Sequence, residues 1–307
     1  MSKCFRKEIK YYGSGIFDSF IDMTYVMTME NAKERHQQIK DQLEYFKLTK
    51  KATFIYNAGF KKCDKIYCTP KKCEKINDTF VDLLHAIHNI HDDALNNGYN
   101  NILLLQDDAV ISKEILEPEV AENLDKLVKD YKNKPLLLKL GVIPVITSYY
   151  NNHFRKVILS GGAHAIIYNK IGMNKMKYSK TESRDDETKQ HIVFSNKQLM
   201  YKKPLISQIY EETDNSKTWG ARVNFENVRL KSIVQKFSNF TIKFFLIIFK
   251  LNSQIEPGTT FLYKYHNYIS ASIILIIITL SYYIFRLFFR TISSFIPIKK
   301  NKTLILK

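Results

Sequence analysis

From Tyr265 to Phe285, 21 consecutive residues include no Lys, Arg, Asp or Glu. A hydrocarbon core of about 30 Å takes roughly 20 apolar residues of helix, so such a run must either span a bilayer or be buried on all sides. Its centre reads Ile273-Ile-Leu-Ile-Ile-Ile-Thr-Leu280 and continues through Tyr282, Tyr283, Ile284 and Phe285. The flanks lack the polar face of an amphipathic globular helix. Tyr263, Tyr265 and Tyr268 before the run, with Tyr282 and Tyr283 near its end, suit the aromatic belt of a spanning helix. The sequence predicts a transmembrane helix at 265–289 and a basic tail at 290–307.

Charge is concentrated at the same end. Lys231–Lys307 holds eleven Lys or Arg against one acid, Glu256, and so carries +10 of the chain's +17. Basic residues beside apolar sequence match anionic lipid head groups. A nucleic-acid binder would spread that charge over its folded part, and no nucleic-acid partner is expected. Phe240–Leu251 is too short to cross alone and carries Lys243 and Lys250. It reads as an interfacial helix, or one packed on the domain, within a linker at 231–264. The positive-inside rule puts the tail in the cytoplasm and the N-terminal domain across the membrane. Met1–Phe20, however, has no apolar signal-peptide region. The domain is therefore expected to face the cytosol, with either the short segment forming half of a hairpin or the tail crossing despite its charge.

The cysteines are Cys4, Cys63, Cys68 and Cys73. The last three form a C-x4-C-x4-C array, looser than a zinc site's paired spacing, and read as reduced thiols. His85, His88 and His91 follow on a helix and are assigned no role.

The first 230 residues alternate strand and helix patterns, which argues for an α/β sheet. Thr24–Met29 and Ala52–Tyr56 read as strands, with a helix at Asn31–Phe46 between them. Asn77 and Asp78 can cap a helix that runs to about Asn97, where Gly98 ends it. Asn101–Leu105 is a continuous apolar run, as in a strand buried on both faces. Leu136–Leu140 and His164–Tyr168 read as further strands, and Asn169–Tyr178 as a helix.

Directly after the Asn101–Leu105 run come Gln106, Asp107 and Asp108. Two carboxylates at the end of a central parallel strand lie where open α/β sheets bind ligands. Carboxylates so close to buried sequence are costly unless they are paired or hold a cation. Mg2+ or Mn2+ takes one or two carboxylates together with phosphate oxygens. The residues therefore point to a metal–diphosphate site.

The stretch Gly98-Tyr-Asn-Asn-Ile-Leu-Leu-Leu-Gln-Asp-Asp-Ala109 resembles the strand and acidic signature of the family 25 glycosyltransferases and their giant-virus relatives. Thr24–Leu48, with Arg35, is similar to that family's first strand and helix. Gly161–Tyr168 resembles a later strand, and Asp185/Asp186 with Lys203–Gln208 and Asn215–Trp219 resembles its closing segment. The likeness covers roughly residues 20–220, in order.

The resemblance implies a GT-A fold over 1–230: a Rossmann-like half for the nucleotide and a variable half for the acceptor. It implies transfer of a sugar from a nucleotide-sugar donor to a hydroxyl of a glycan, protein or lipid, with inversion and a divalent metal (Mn2+ or Mg2+). Asp108 would be the principal metal ligand. Asp107 would contact the metal and the donor sugar or ribose, with Arg35 and Gln106 on the donor side. Asp186, or failing that Asp185, would be the general base, and Gly162, His164 and Gln208 would line the cleft. Gln106 stands where the family usually has Glu, and Gly161-Gly162 where it has Gly-Thr. The first departure keeps open a catalytically inactive carbohydrate- or nucleotide-binding protein tethered to a membrane. A third reading is another metal-dependent enzyme acting on phosphates, such as a nucleotidyltransferase or nuclease, but no P-loop or Gly-rich phosphate turn supports it.

Overall fold

The computed structural model describes residues 4–69, 71–179, 186–208, 240, 244, 247 and 257–295. It is a mixed α/β protein with a long apolar helix at its C-terminal end. The chain runs β1 (Phe5–Tyr11), β2 (Met23–Met29), α1 (Lys33–Phe46), β3 (Lys51–Asn57), a hairpin of β4 (Ile66–Cys68) and β5 (Cys73–Lys75), then α2 (Thr79–Asn96). Next come β6 (Asn101–Gln106), β7 (Ala109–Ile111), α3 (Pro118–Asp130), β8 (Leu137–Tyr149), β9 (Phe154–Asn169) and α4 (Lys170–Lys177). After these come α5 (Asp186–Phe194), β10 (Gln198–Tyr201), β11 (Ile206–Gln208) and α6 (Pro257–Phe295).

Seven strands form the central sheet, in the order β1-β3-β2-β6-β9-β10-β8. β3, β2 and β6 are parallel, whereas β1 and β9 run antiparallel to their neighbours β3 and β6. The parallel strands are buried on both faces, so their apolar runs are continuous. Side chains still alternate: Val26 and Leu105 join the cluster under α1 and α3, while Tyr25 and Leu104 join the one under α2 and α4. The α1 contribution is Ile39, Leu43 and Phe46; that of α2 includes Ala86, Ile87, Ile90 and Ala94.

The caps lie where the sequence puts them. Asp78 accepts from the Val81 N–H at 2.9 Å and starts α2. Gly98 follows that helix with φ +75°, the left-handed stop glycine makes easily. Asn169 accepts from the Gly172 N–H at 2.7 Å and starts α4. The strands predicted at 136–140 and 164–168 prove to be parts of one long hairpin, β8–β9. The ladder takes register shifts next to Gly141 and Pro144 in β8.

The cysteines correct the expectation of free thiols. Cys4 pairs with Cys63 and Cys68 with Cys73, so all four are in disulfides. The first ties the start of β1 to the loop after β3, and the second closes the β4–β5 hairpin. Lys65, buried, bonds Asp82 at 2.6 Å and fixes that loop on α2.

His91, fully buried on α2, packs edge-on against the Tyr168 ring at 4.7 Å. Burial pushes its pKa down to about 3, and Lys189 and Lys177 add to the effect. The neutral imidazole is thus the folded form, and stability is complete only above the free histidine range. As pH falls from about 6.5 toward 3, the unfolded chain takes up the proton first and the fold weakens. His91→Leu is expected to remove part of that acid sensitivity. Denaturant melts at pH 7 and pH 5 should show a smaller loss in the variant, by about 1 kcal/mol or more; equal losses would contradict the assignment.

Helix α6 starts earlier than predicted. Leu262, Tyr263, His266 and Ser270 are buried, and their three- and four-residue spacing makes one stripe. Ser270 Oγ donates to the Val145 carbonyl and accepts from the Thr147 N–H, each at 3.2 Å. Tyr263 packs with Val142, Val157 and Met200. The helix therefore begins as part of the folded domain. Beyond Ser270 it leaves the domain, and Ile274–Ile278, Leu280 and Tyr282–Phe285 are exposed. Thr260–Arg286 is long and apolar enough to cross a membrane, by length and composition, and only 6% of its most apolar window is buried. Most of Phe240–Leu251 lies outside the described residues.

Candidate functional site

The site forms where β2 and β6 end. They pair in parallel through Met27 and Gln106, so the residues just past each strand meet at the C-terminal ends of the central strands. Thr28, the next residue of β2, donates to Asp107 Oδ2 at 2.5 Å. Arg35, from the first turns of α1, reaches Asp107 Oδ1 at 3.4 Å. Both oxygens of Asp107 thus have partners within the domain. Gln106 is half-buried at the end of β6.

Asp108 is different. It is 8% exposed, and its Oδ2 accepts from Gln208 Nε2 at 2.7 Å. Oδ1 has no hydrogen-bond partner among the described residues. Burial first, and the charge of Asp107 second, raise its pKa to about 7 against the pull of Gln208 and Arg35. A buried carboxylate oxygen without a donor is costly, and a cation would satisfy it. Among the described residues no three His, Cys, Asp or Glu side chains cluster to hold a metal ion by themselves. Asp108, with Asp107 beside it in the chain, could supply carboxylate oxygens to a divalent ion, a hard cation that takes oxygen ligands.

Gln208 reaches Asp108 because β11 pairs antiparallel with β7, setting Gln208 opposite Ala109. The same short ladder places the Ile206 carbonyl to accept from His164 Nε2 at 3.0 Å. A carbonyl only accepts, so Nε2 carries the proton and Nδ1 keeps its lone pair, without a partner among the described residues. Burial pushes the His164 pKa down to about 4 and keeps the ring neutral. Gly162 takes φ +82°, and a methyl there would lie 3.2 Å from His164 Nδ1 and 3.6 Å from Gln208 Oε1. Gly162, His164 and Gln208 therefore lie close together.

The Gly162 N–H donates to Glu187 Oε1 at 2.8 Å. Glu187 follows Asp186, the buried first residue of α5. Asp185 lies outside the described residues, as does the Asn215–Trp219 part of the family-like segment. Beneath this point sits Lys139, fully buried on β8, whose Nζ donates to Ser160 Oγ at 3.0 Å. Burial lowers the Lys139 pKa, and the charges of Glu187 and Asp186 oppose that.

Sequence reasoning missed Thr28, Ser160, Glu187 and Lys139. Only Lys139 leaves a local signal: a lone charge inside the apolar run Leu136–Val142 is expensive unless acids meet it. Compared with known protein families and curated proteins, the chain matches no family model and no curated protein.

Proposed function

We propose that this chain is a membrane-anchored glycosyltransferase that moves a sugar from a nucleotide-sugar donor to a hydroxyl acceptor, with a divalent ion at Asp108. The observation that carries this reading is the buried Asp108, whose Oδ1 has no hydrogen-bond partner among the described residues, set beside a second carboxylate where two parallel strands end. The motif resemblance supports it, because Arg35, Asp107, Asp108, Gly162, His164 and Gln208 gather near the C-terminal ends of β2 and β6. A divalent ion there would neutralise the charge that develops on the departing diphosphate.

In this reading Thr28 and Arg35 orient Asp107 toward the donor. Gln208 orients Asp108. Neutral His164 offers Nδ1 as an acceptor to a substrate hydroxyl. Asp186 is the base that takes the acceptor's proton. The GT-A assignment for residues 4–208 belongs to the same proposal.

A second reading is a binding protein without turnover. It is favoured by Asp107, whose two oxygens already have protein partners, and by Gln106 in place of a third acid.

The test takes the full chain in detergent and a panel of nucleotide-sugars, and measures nucleotide release with Mn2+ and with EDTA. Manganese-dependent release from one donor, at least about tenfold above the EDTA control, is expected. Donor binding without release would favour the second reading, and a chain that binds no donor would reject both.

A further inference from the structure

We infer that the α/β domain faces an oxidising, secretory-type compartment and that Asn77 is an N-linked glycosylation site there. Four observations carry this inference, and none depends on the transferase reading.

First, all four cysteines of the chain are paired. Disulfides persist in oxidising compartments and are rare where thiols are kept reduced. Cys68–Cys73 lies in a hairpin whose cysteines belong to exposed strand positions, where a reducing compartment would have access. This argues against the cytosolic placement expected from the sequence.

Second, the long apolar helix follows the domain, and the residues beyond Arg286 add Arg290, Lys299, Lys300, Lys302 and Lys307 without an acid. The positive-inside rule puts that tail in the cytoplasm. A single crossing then sets the domain on the opposite side, in agreement with the disulfides. Neither the hairpin nor the crossing basic tail is needed.

Third, Asn77-Asp78-Thr79 is an Asn-x-Thr acceptor sequence. Asn239-Phe240-Thr241 repeats the pattern before the helix and Asn301-Lys302-Thr303 repeats it after. The topology makes Asn77 and Asn239 available and withholds Asn301.

Fourth, Asn77 is exposed. It stands two residues past the end of β5 and one before the N-cap Asp78, in the short connection between the stapled hairpin and α2. The exposed connection leaves an oligosaccharide room at the surface.

In the modification the amide Nδ2 of Asn77 bonds to the anomeric carbon of a lipid-diphosphate-linked oligosaccharide. The anomeric C–O bond breaks, the lipid diphosphate leaves with the electron pair, and one amide proton passes to the host enzyme's base.

The experiment expresses the full chain in eukaryotic cells and examines membranes under non-reducing conditions. Peptide mass spectrometry, before and after a glycan-removing amidase, reads Asn77 and Asn301. Maleimide labelling of the unfolded, unreduced chain counts free thiols. A glycan on Asn77, a bare Asn301 and no reactive thiol are expected. Asn77→Gln and Thr79→Ala should each remove the Asn77 glycan, and Thr79→Ser, which keeps the acceptor sequence, should retain it. A bare Asn77, a glycan on Asn301, or four reactive thiols would overturn the inference. The wild-type chain alone decides these outcomes, so a variant that misfolds leaves the test intact.

Discussion

Asparagine in place of Asp108 is expected to abolish metal-dependent donor turnover, by roughly 10³-fold in kcat, while leaving the fold at least as stable as before. The rate effect follows from losing the Asp108 oxygen that has no hydrogen-bond partner among the described residues. Without it a divalent ion would be weakly held and the charge on a departing diphosphate would go unneutralised; removing one such electrostatic stabiliser costs about 10²–10³.

The stability effect has the opposite sign. Asp108 has a pKa raised to about 7 by burial, so its protonated form is the one the fold favours. The unfolded chain releases that proton near the ordinary value of 3.8. The contribution of Asp108 to metal-free stability is therefore full below about pH 4 and is lost as pH rises toward 7, opposite in sign to that of His91. Asparagine keeps the shape, still accepts from Gln208, and has no charge to bury. In EDTA at pH 8 the variant should resist denaturant better than the parent chain, by an amount on the order of a few kcal/mol. Mn2+ should narrow the gap by stabilising only the parent. Undiminished turnover in Asp108→Asn would sink the metal assignment; lost stability at pH 8 would contradict the buried, unpaired carboxylate.

Gly141→Ala should be the most damaging single methyl near the site. A Cβ at Gly141 would lie 1.7 Å from the Ile206 carbonyl oxygen and 2.3 Å from His164 Nε2. The carbonyl is backbone, and the imidazole is fixed by its bond to that same carbonyl. Neither can rotate away, so β11 must move as a unit. β11 carries Gln208, which holds Asp108, and displacement reaches the acidic pair without touching it. Overpacking of this kind costs roughly 3 kcal/mol or more, which corresponds to a Tm lower by about 10 °C. Gly161→Ala is the control, because its nearest contact would be Ile143 Cβ at 3.9 Å. Thermal unfolding of both variants, with donor turnover measured alongside, separates the two positions. A Gly141→Ala chain that melts with the parent would show that β8 and β11 do not approach as described.

Much of this was legible from the sequence because it is local. The Asp78 cap, the Gly98 stop and the apolar runs of β2, β3 and β6 depend on spacing within a few residues. The place of Asp107 and Asp108 at a strand end depends on no more than that. The uncharged run after Lys264 specifies an apolar helix by length alone. What the tertiary structure decided are the partnerships between distant residues. Gln208 finds Asp108 across 100 positions only because β11 pairs with β7. Cys4 meets Cys63 across 59 because β1 lies antiparallel to β3. Lys139 is tolerable in a buried strand only because the start of α5 brings Asp186 and Glu187 over it. A sequence fixes which groups need partners, since burial makes an unmet charge or polar atom costly whatever the fold. Which partners they receive is set by strand order and register, and those minimise the burial cost of the whole sheet rather than of any one segment.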